Sequence, residues 1–327
     1  MKITNVSGIN LPLAVWLLHD TYDYVDMENY ISATGLLKPI KQTILAARIP
    51  PTNREMDIAE NIARALGHAI HDSIERAWIT PGAAAGALKK LGYPETVIDR
   101  IVVNPSDEML RERNDVIPVY LEQRAFREVV VNGVTYTIGG KFDMVADGVP
   151  FDHKSTSAFS WLFGTKDEDH QLQLSLYKWL NPEKISSDEA CVNYIFTDWS
   201  RMQAKTNPKY PQKRVEEKRL PLLPVQQMDR WVHDRLSLIQ RHWNDPEEKI
   251  PECSDKELWR SEPTYKYYKD PSKLSGRSTK NFDSKHDAEQ FKAEKGGVGV
   301  VITVPGEAKA CNYCPVYDLC KQKDRYL

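Results

Sequence analysis

Cysteine is scarce in this chain, five in 327 residues, and too unevenly spaced for the disulfide framework of a secreted protein. Long hydrophobic runs are missing too. The apolar stretch LPLAVWLL at 11–18 is too short to span a bilayer, contains Pro12 and is followed by no small-residue cleavage site. It reads as a packed segment of a cytoplasmic protein with no membrane partner. Neither charge is in excess: 44 basic against 46 acidic side chains leave a net charge of −2, so any nucleic-acid contact has to come from local basic patches. No G-x-x-x-x-G-K-S/T loop occurs, which removes a resident ATP motor. No H-E-x-x-H or paired-histidine motif occurs either, which argues against the common zinc hydrolases. Long repeats, low-complexity tracts and heptads are absent.

What the chain does have is a run of turn and strand signals between Glu122 and Tyr177. Asn132-Gly133 and Asp147-Gly148 are each flanked by alternating β-formers, the strongest short-range signal for a two-residue hairpin. Three antiparallel strands are expected near 119–131, 134–146 and 149–155. Two-residue turns place Asp143 opposite Asp152 and Glu122 opposite Asp143, and the strand period puts Lys154 on the face of Asp152. Directly opposed side chains sit about 4.5–5.5 Å apart at Cβ, where like charges are destabilising. A hard divalent cation removes that repulsion, because Mg2+ takes carboxylate and water oxygens. The other reading is a solvated sheet face with accidental acids. A bulge at Gly139-Gly140 would move Glu122 out of line.

Upstream, REMDIAENIARALGHAIHDSIERAW (54–78) is amphipathic, with Ile62, Ala63, Leu66, Ile70, Ile74 and Ala77 at helical spacing. Gly67, His71 and Glu75 lie one turn apart on one face. A glycine inside a helix costs about 1 kcal/mol relative to alanine, which suggests close packing at Gly67. Downstream, Gln173 and Tyr177 stand one turn apart on the helix HQLQLSLYKWL (170–180), and EACVNYIFTDW (189–199) alternates as a fourth strand.

In chain order these elements spell G-x-x-x-H-x-x-x-E (Gly67, His71, Glu75), G-x-x-D (Gly140, Asp143), D-x-K (Asp152, Lys154) and Q-x-x-x-Y (Gln173, Tyr177). The set resembles the PD-(D/E)XK nuclease superfamily. More narrowly it resembles the RecB-like branch, which includes CRISPR-associated and phage exonucleases. The resemblance implies an α/β (α+β) fold, a restriction-endonuclease-like core sheet flanked by helices. It implies Mg2+ or Mn2+ held by His71, Asp143, Asp152 and the carbonyl of His153, with Lys154 positioning or deprotonating the attacking water. Gln173 and Tyr177 would orient that lysine or contact DNA. Glu122 joins the catalytic set on register alone. The implied function is a divalent-metal-dependent DNA nuclease, an exonuclease on DNA ends or single strands in phage or prokaryotic recombination, repair or processing. A helicase or recombinase partner would supply any motor. The alternative is a non-catalytic DNA-binding or scaffold protein on the same fold, which has no reason to keep opposed acids.

The remaining segments carry less chemistry. ISATGLLKPIKQTILAARIP (31–50) reads as a helix capped by Ser32 or Thr34 and stopped by Pro50-Pro51, with Lys38, Lys41 and Arg48 facing phosphates or solvent. Residues 80–116 read as a small helical insert. SRMQAKTNPKYPQKRVEEKR (200–219) is a basic loop whose Lys205, Lys209, Lys213 and Arg214 either contact phosphates or are simply solvated. PVQQMDRWVHDRLSLIQRHW (224–243) is a further amphipathic helix. A β-α-β insert at 265–304 interleaves Tyr265, Tyr267 and Tyr268 with Lys266 and Lys269, as a single-strand clamp or a strand edge.

Three of the cysteines, Cys311, Cys314 and Cys320, crowd the C-terminal CNYCPVYDLC, which points to metal ligation. They resemble the C-terminal ligands of RecB-like nucleases that carry a [4Fe–4S] cluster. Those relatives place the first ligand before the His motif, and here no cysteine precedes Cys191. Cys253, in the loop IPECSDKELW, is the substitute. Four thiolates suit a [4Fe–4S] cluster or structural Zn2+, the other reading being free buried thiols. Cys191 reads as a small buried hydrophobe in a strand. The expected organisation is a nuclease core with an N-terminal helical region over 1–250 and a C-terminal module over 251–327.

Overall fold

The computed structural model describes residues 2–20, 23–50, 55–163 and 166–326; Pro51, Arg54, Gly164 and Thr165, which fall in expected helices and a loop, lie outside them. The chain divides into two compact units, Met1–Leu37 with Pro51–Ser237, and Lys38–Pro50 with Leu238–Leu327. The first half contributes β1 (Lys2–Thr4), α1 (Leu11–Leu18), β2 (Tyr30–Ser32), α2 (Ala33–Leu36), α3 (Ile40–Ala47), β3 (Glu55–Asp57) and α4 (Ile62–Ile79). Then come α5 (Ala83–Lys90), α6 (Glu95–Ile98), β4 (Ile101–Val103), α7 (Asp107–Glu112), β5 (Ile117–Val131), β6 (Val134–Ala146) and β7 (Val149–Thr156). The first unit closes with α8 (Ala158–Phe163), α9 (Asp167–Leu180), β8 (Glu189–Phe196), α10 (Arg201–Thr206), β9 (Val215–Pro221) and most of α11 (Val225–His242).

Seven strands make one mixed sheet in the order β4-β5-β6-β7-β8-β9, with β2 also on β6. The β5-β6-β7 meander falls where the turn signals put it. Asn132, Gly133, Asp147 and Gly148 all have positive φ, between 46° and 80°. That pattern is a type I′ turn, which matches the twist of the strands and needs residues that tolerate the left-handed region. Parallel pairing of β7 with β8 and antiparallel pairing of β8 with β9 extend the sheet. Helix α9 is deeply buried, with Leu174, Leu176 and Trp179 in the core. At Gly140 a Cβ would stand 2.8 Å from Leu180 Cδ1 and 3.0 Å from Tyr177 Cε1, so glycine is what lets α9 lie on β6.

Several expectations need correction. The 31–50 run is not one helix: Ser32 caps α2 by accepting from the Gly35 N–H, and the chain breaks before Pro39 and restarts as α3. Of its basic residues Lys38 and Arg48 are exposed and Lys41 is not. Lys41 is buried against Glu247 at 2.7 Å, and Arg48 donates to the carbonyls of Trp243 and Asp245. The 54–78 segment starts as β3 and a 3-10 turn capped by Asp57, and only then becomes α4. The apolar face of α4 is not sealed, since Ile62 and Leu66 remain over 40% exposed. In α1 only Leu17 is buried, so this segment is not packed as its composition suggested. The 80–116 insert contains β4, which joins β5 in parallel, and part of the basic 200–219 loop is β9.

The second unit holds β10 (Thr264–Tyr268), β11 (Lys280–Phe282), α12 (Lys285–Glu294) and β12 (Val300–Val304), with β10 central in a three-stranded antiparallel sheet. Tyr267 and Tyr268 are buried, and Tyr267 donates to the Val298 carbonyl and packs edge-on against Phe291. These two tyrosines build a core and not a clamp. Among the described residues no helix is long and apolar enough to cross a membrane.

Candidate metal and active site

One edge of β6 is shared between two partners. Met144, Val145 and Ala146 pair with Phe151, Pro150 and Val149 of β7, whereas Thr137, Ile138 and Gly139 pair with Tyr30, Ile31 and Ser32 of β2. Between them, at 140–143, β7 has left β6, and the His153 N–H donates to the Asp143 carboxylate instead, at 2.8 Å. Asp143 and Asp152 therefore stand where two strands diverge. On the opposite edge β5 stays in step, with Leu121 opposite Met144, Gln123 opposite Phe142 and Phe126 opposite Gly139, so no bulge forms at the glycines. Glu122 itself turns over, with φ +49°. That conformation costs an L-residue roughly 1–2 kcal/mol and breaks the alternation of faces. Leu121 and Met144 pack with Trp78 of α4, yet the adjacent Glu122 and Asp143 also address α4, through His71.

The ligand atoms of His71, Glu122 and Asp143 all lie within 4.8 Å of one another, close enough to share one cation. The Asp152 side chain is buried, and its Oδ1 accepts from Lys154 Nζ at 2.9 Å. Its Oδ2 is 2.9 Å from the same ammonium but outside hydrogen-bonding geometry, and has no hydrogen-bond partner. An orphaned buried carboxylate oxygen beside such a trio fits the donor set of a divalent ion. His71 Nε2 lies 2.8 Å from the His153 carbonyl, so an imidazole donating there turns Nδ1 toward the two carboxylates. The His153 oxygen expected to face the metal is engaged by His71.

Charge follows burial and neighbours. Burial alone would lower His71, but Glu122, Asp143 and the His153 carbonyl raise it to about 9. Burial, then the charge of Asp152, pushes the Asp143 carboxyl up to about 7. Burial would also raise Glu122, but His71 and Lys141 hold it below the usual carboxylate range. Lys154 would be lowered by burial, and Asp152 and Asp143 outweigh that and raise it. Without a cation the cluster keeps protons to limit the repulsion among its acids.

Two neighbours were missed. Lys141 Nζ sits 2.6 Å from Glu122 Oε2; it stands two residues before Asp143, a strand period that could have exposed it. Asn193 Nδ2 lies 3.2 Å from His153 Nδ1, across a parallel pairing that no sequence signal marks. Gln173 donates to the Tyr177 hydroxyl at 2.9 Å, on the helix that Gly140 admits. Gly67 is not explained by crowding, because a Cβ there would meet only Ser155 Oγ at an ordinary 3.7 Å. Glu75 is half-buried and outside the trio. Lys205 on α10, and Lys209, Lys213 and Arg214 in the segment leading to β9, are all exposed.

In the second unit, two 3-10 turns (Lys309–Tyr313 and Tyr317–Leu319) carry Cys311 within the first and end at Cys314 and Cys320. All three are free thiols, as is Cys253, and Cys191 is buried in β8. Burial, then Glu257 and the charges of Cys320, Cys314 and Cys311, push the Cys253 thiol up to about 12. By residue type the four thiols suit a thiophilic metal, but among the described residues the ligand atoms that gather within 4.8 Å are those of His71, Glu122 and Asp143 and not these sulfurs.

No protein-family model matches the chain, and no curated protein does. Among solved structures it is similar to SSO0001, at 18% identity and a TM-score of 0.41, over 72% of this chain and 87% of that one. It is also similar to a phage related exonuclease from Haemophilus somnus 129PT, at 13% identity and a TM-score of 0.26, over 68% of this chain and 96% of that one.

Proposed function

We propose that this chain is a divalent-metal-dependent deoxyribonuclease of the exonuclease type, acting on DNA ends or single strands. The observation that supports it is the meeting of His71, Glu122 and Asp143 with the Asp152–Lys154 pair where β6 and β7 part. In this proposal His71, Asp143 and Asp152 hold Mg2+ or Mn2+, with Glu122 as a further carboxylate; carboxylates with an imidazole suit either ion. The bound ion would supply Lewis acidity and a water of lowered pKa. The Lys154 ammonium, fixed on Asp152, orients the attacking water and meets charge on the phosphate oxygens. Gln173 and Tyr177 brace α9 against β6, and the exposed Lys205, Lys209, Lys213 and Arg214 hold phosphates of the strand. Unwinding, for which the chain has no P-loop, falls to a helicase or recombinase partner. We further propose that Cys253, Cys311, Cys314 and Cys320 hold a [4Fe–4S] cluster or Zn2+ that adds stability and not chemistry.

The test is incubation with 5′- and 3′-labelled single- and double-stranded DNA in Mg2+, Mn2+ or EDTA. Cleavage should need the metal, and Asp152→Asn and Lys154→Ala should each lose roughly 100-fold or more in rate. Wild-type rates from Lys154→Ala would sink the assignment. DNA retention with no cleavage in either metal would favour the scaffold alternative.

A further inference from the structure

Cys253 lies 58 residues before Cys311 and belongs to no helix or strand, so its own secondary structure does not place it. Gln322 ties its backbone to the 3-10 turn, Lys321–Arg325, that Cys320 caps. Its side chain is only 3% exposed. Its Oε1 accepts from the Cys253 N–H at 2.9 Å, and its Nε2 donates to the Cys253 carbonyl at 2.8 Å. One buried amide therefore satisfies both backbone groups of the cysteine, as a neighbouring strand would. The segments on either side are laced together too. Glu247 accepts from the Lys321 N–H at 3.2 Å and is held by buried Lys41. Glu248 pairs with Lys321, and Glu252 pairs with Arg325.

We infer that Gln322 is a positioning residue for the thiol centre: it fixes Cys253 beside Cys320 before any metal arrives, and so makes Cys253 a ligand. The inference rests on the proposed metal centre. A buried amide on a ligand's backbone leaves the thiol no freedom to swing away, so the ordering cost is met in folding and not in metal binding. Orienting groups of this kind are worth roughly 10–100-fold in metal affinity.

The experiment compares wild type with Gln322→Met, which keeps the volume and loses both hydrogen bonds, and Gln322→Glu, which keeps one acceptor. Arg325→Met is the control, since it removes a neighbouring ion pair without touching Cys253. Zn2+ is titrated against a chromophoric chelator, iron retention is followed after reconstitution with iron and sulfide, and maleimide labelling of the native metal-free chain is mapped by mass spectrometry. Gln322→Met should hold metal roughly 10–100-fold more weakly, with Cys253 gaining label first; Gln322→Glu, which sets a buried carboxylate oxygen against the Cys253 carbonyl, should weaken it at least as much, and Arg325→Met should match wild type. If Gln322→Met does not fold, Gln322→Glu against Arg325→Met decides. Equal affinity and labelling in all three variants overturn the role of Gln322 while the centre stands. A wild-type chain whose thiols hold neither zinc nor iron overturns both.

Discussion

Asp143→Asn should stabilise the metal-free protein, by an amount that grows as pH rises from about 4 to about 7 and then levels off. The carboxyl is held at about 7 against an ordinary 3.8. The folded state thus keeps a proton that the unfolded chain releases, so stability falls as pH rises from about 4 to about 7 and stays lower beyond. At about 1.4 kcal/mol per pH unit the ceiling is ~4 kcal/mol. His71 works the other way: its pKa of about 9, against 6.5, gives stability that is present below 6.5 and lost as pH rises through 9. Part of that depends on the Asp143 charge and goes with it, which brings the net gain to roughly 1–3 kcal/mol. Asparagine keeps an oxygen for the His153 N–H. Melting followed in EDTA should therefore rise by ~2–10 °C at about pH 8 and hardly change at about pH 4.5. Saturating Mn2+ should reverse the order, because it stabilises the binding-competent chain by ~3 kcal/mol at a hundredfold excess over Kd. A variant that melts below wild type at about pH 8 in EDTA, or shares its Mn2+ shift, would refute the account of mutually repelling ligands.

Glu122→Gln should slow cleavage and raise the Mn2+ needed while the chain still folds; an unchanged rate across Mn2+ concentrations would take Glu122 out of the site. Gly140→Ala drives a Cβ into Leu180 and Tyr177 and should cost about 1–3 kcal/mol in urea unfolding, and an unmoved midpoint would mean that α9 has slack. Lys41→Met leaves the partly buried Glu247 with only the Lys321 N–H and should cost about 1–3 kcal/mol. Adding Glu247→Gln should restore most of that loss, and a double variant no more stable than the single one would count against the ion pair.

The meander was legible because Asn-Gly and Asp-Gly turns are local chemistry, and a two-residue turn sets every cross-strand pair by counting. The facing of Glu122 and Asp143 followed from that count. The positive φ of Glu122 did not, since it answers to His71 and Lys141, which arrive from elsewhere in the chain. Nor did the divergence of β7, which depends on β2 taking the rest of the β6 edge. Burial was the weakest inference. The period of α4 marks an apolar face without saying what covers it, and nothing near the lysine of α3 announces its partner, Glu247, some two hundred residues on. Gln322 carried no signal beyond its closeness to Cys320.

The break in alternation at Glu122 makes turn length a functional parameter. Glu122 on β5 must face Asp143 on β6, and the ruler between them is the hairpin at Asn132-Gly133. One residue inserted there would slide Glu122 past Asp143 and turn one strand over relative to its partner. Most surface loops absorb such a change at little cost. Drift in loop length should therefore be tolerated in the 80–116 insert and the β10–β12 module, while this hairpin and the one at Asp147-Gly148 accept substitution but not insertion.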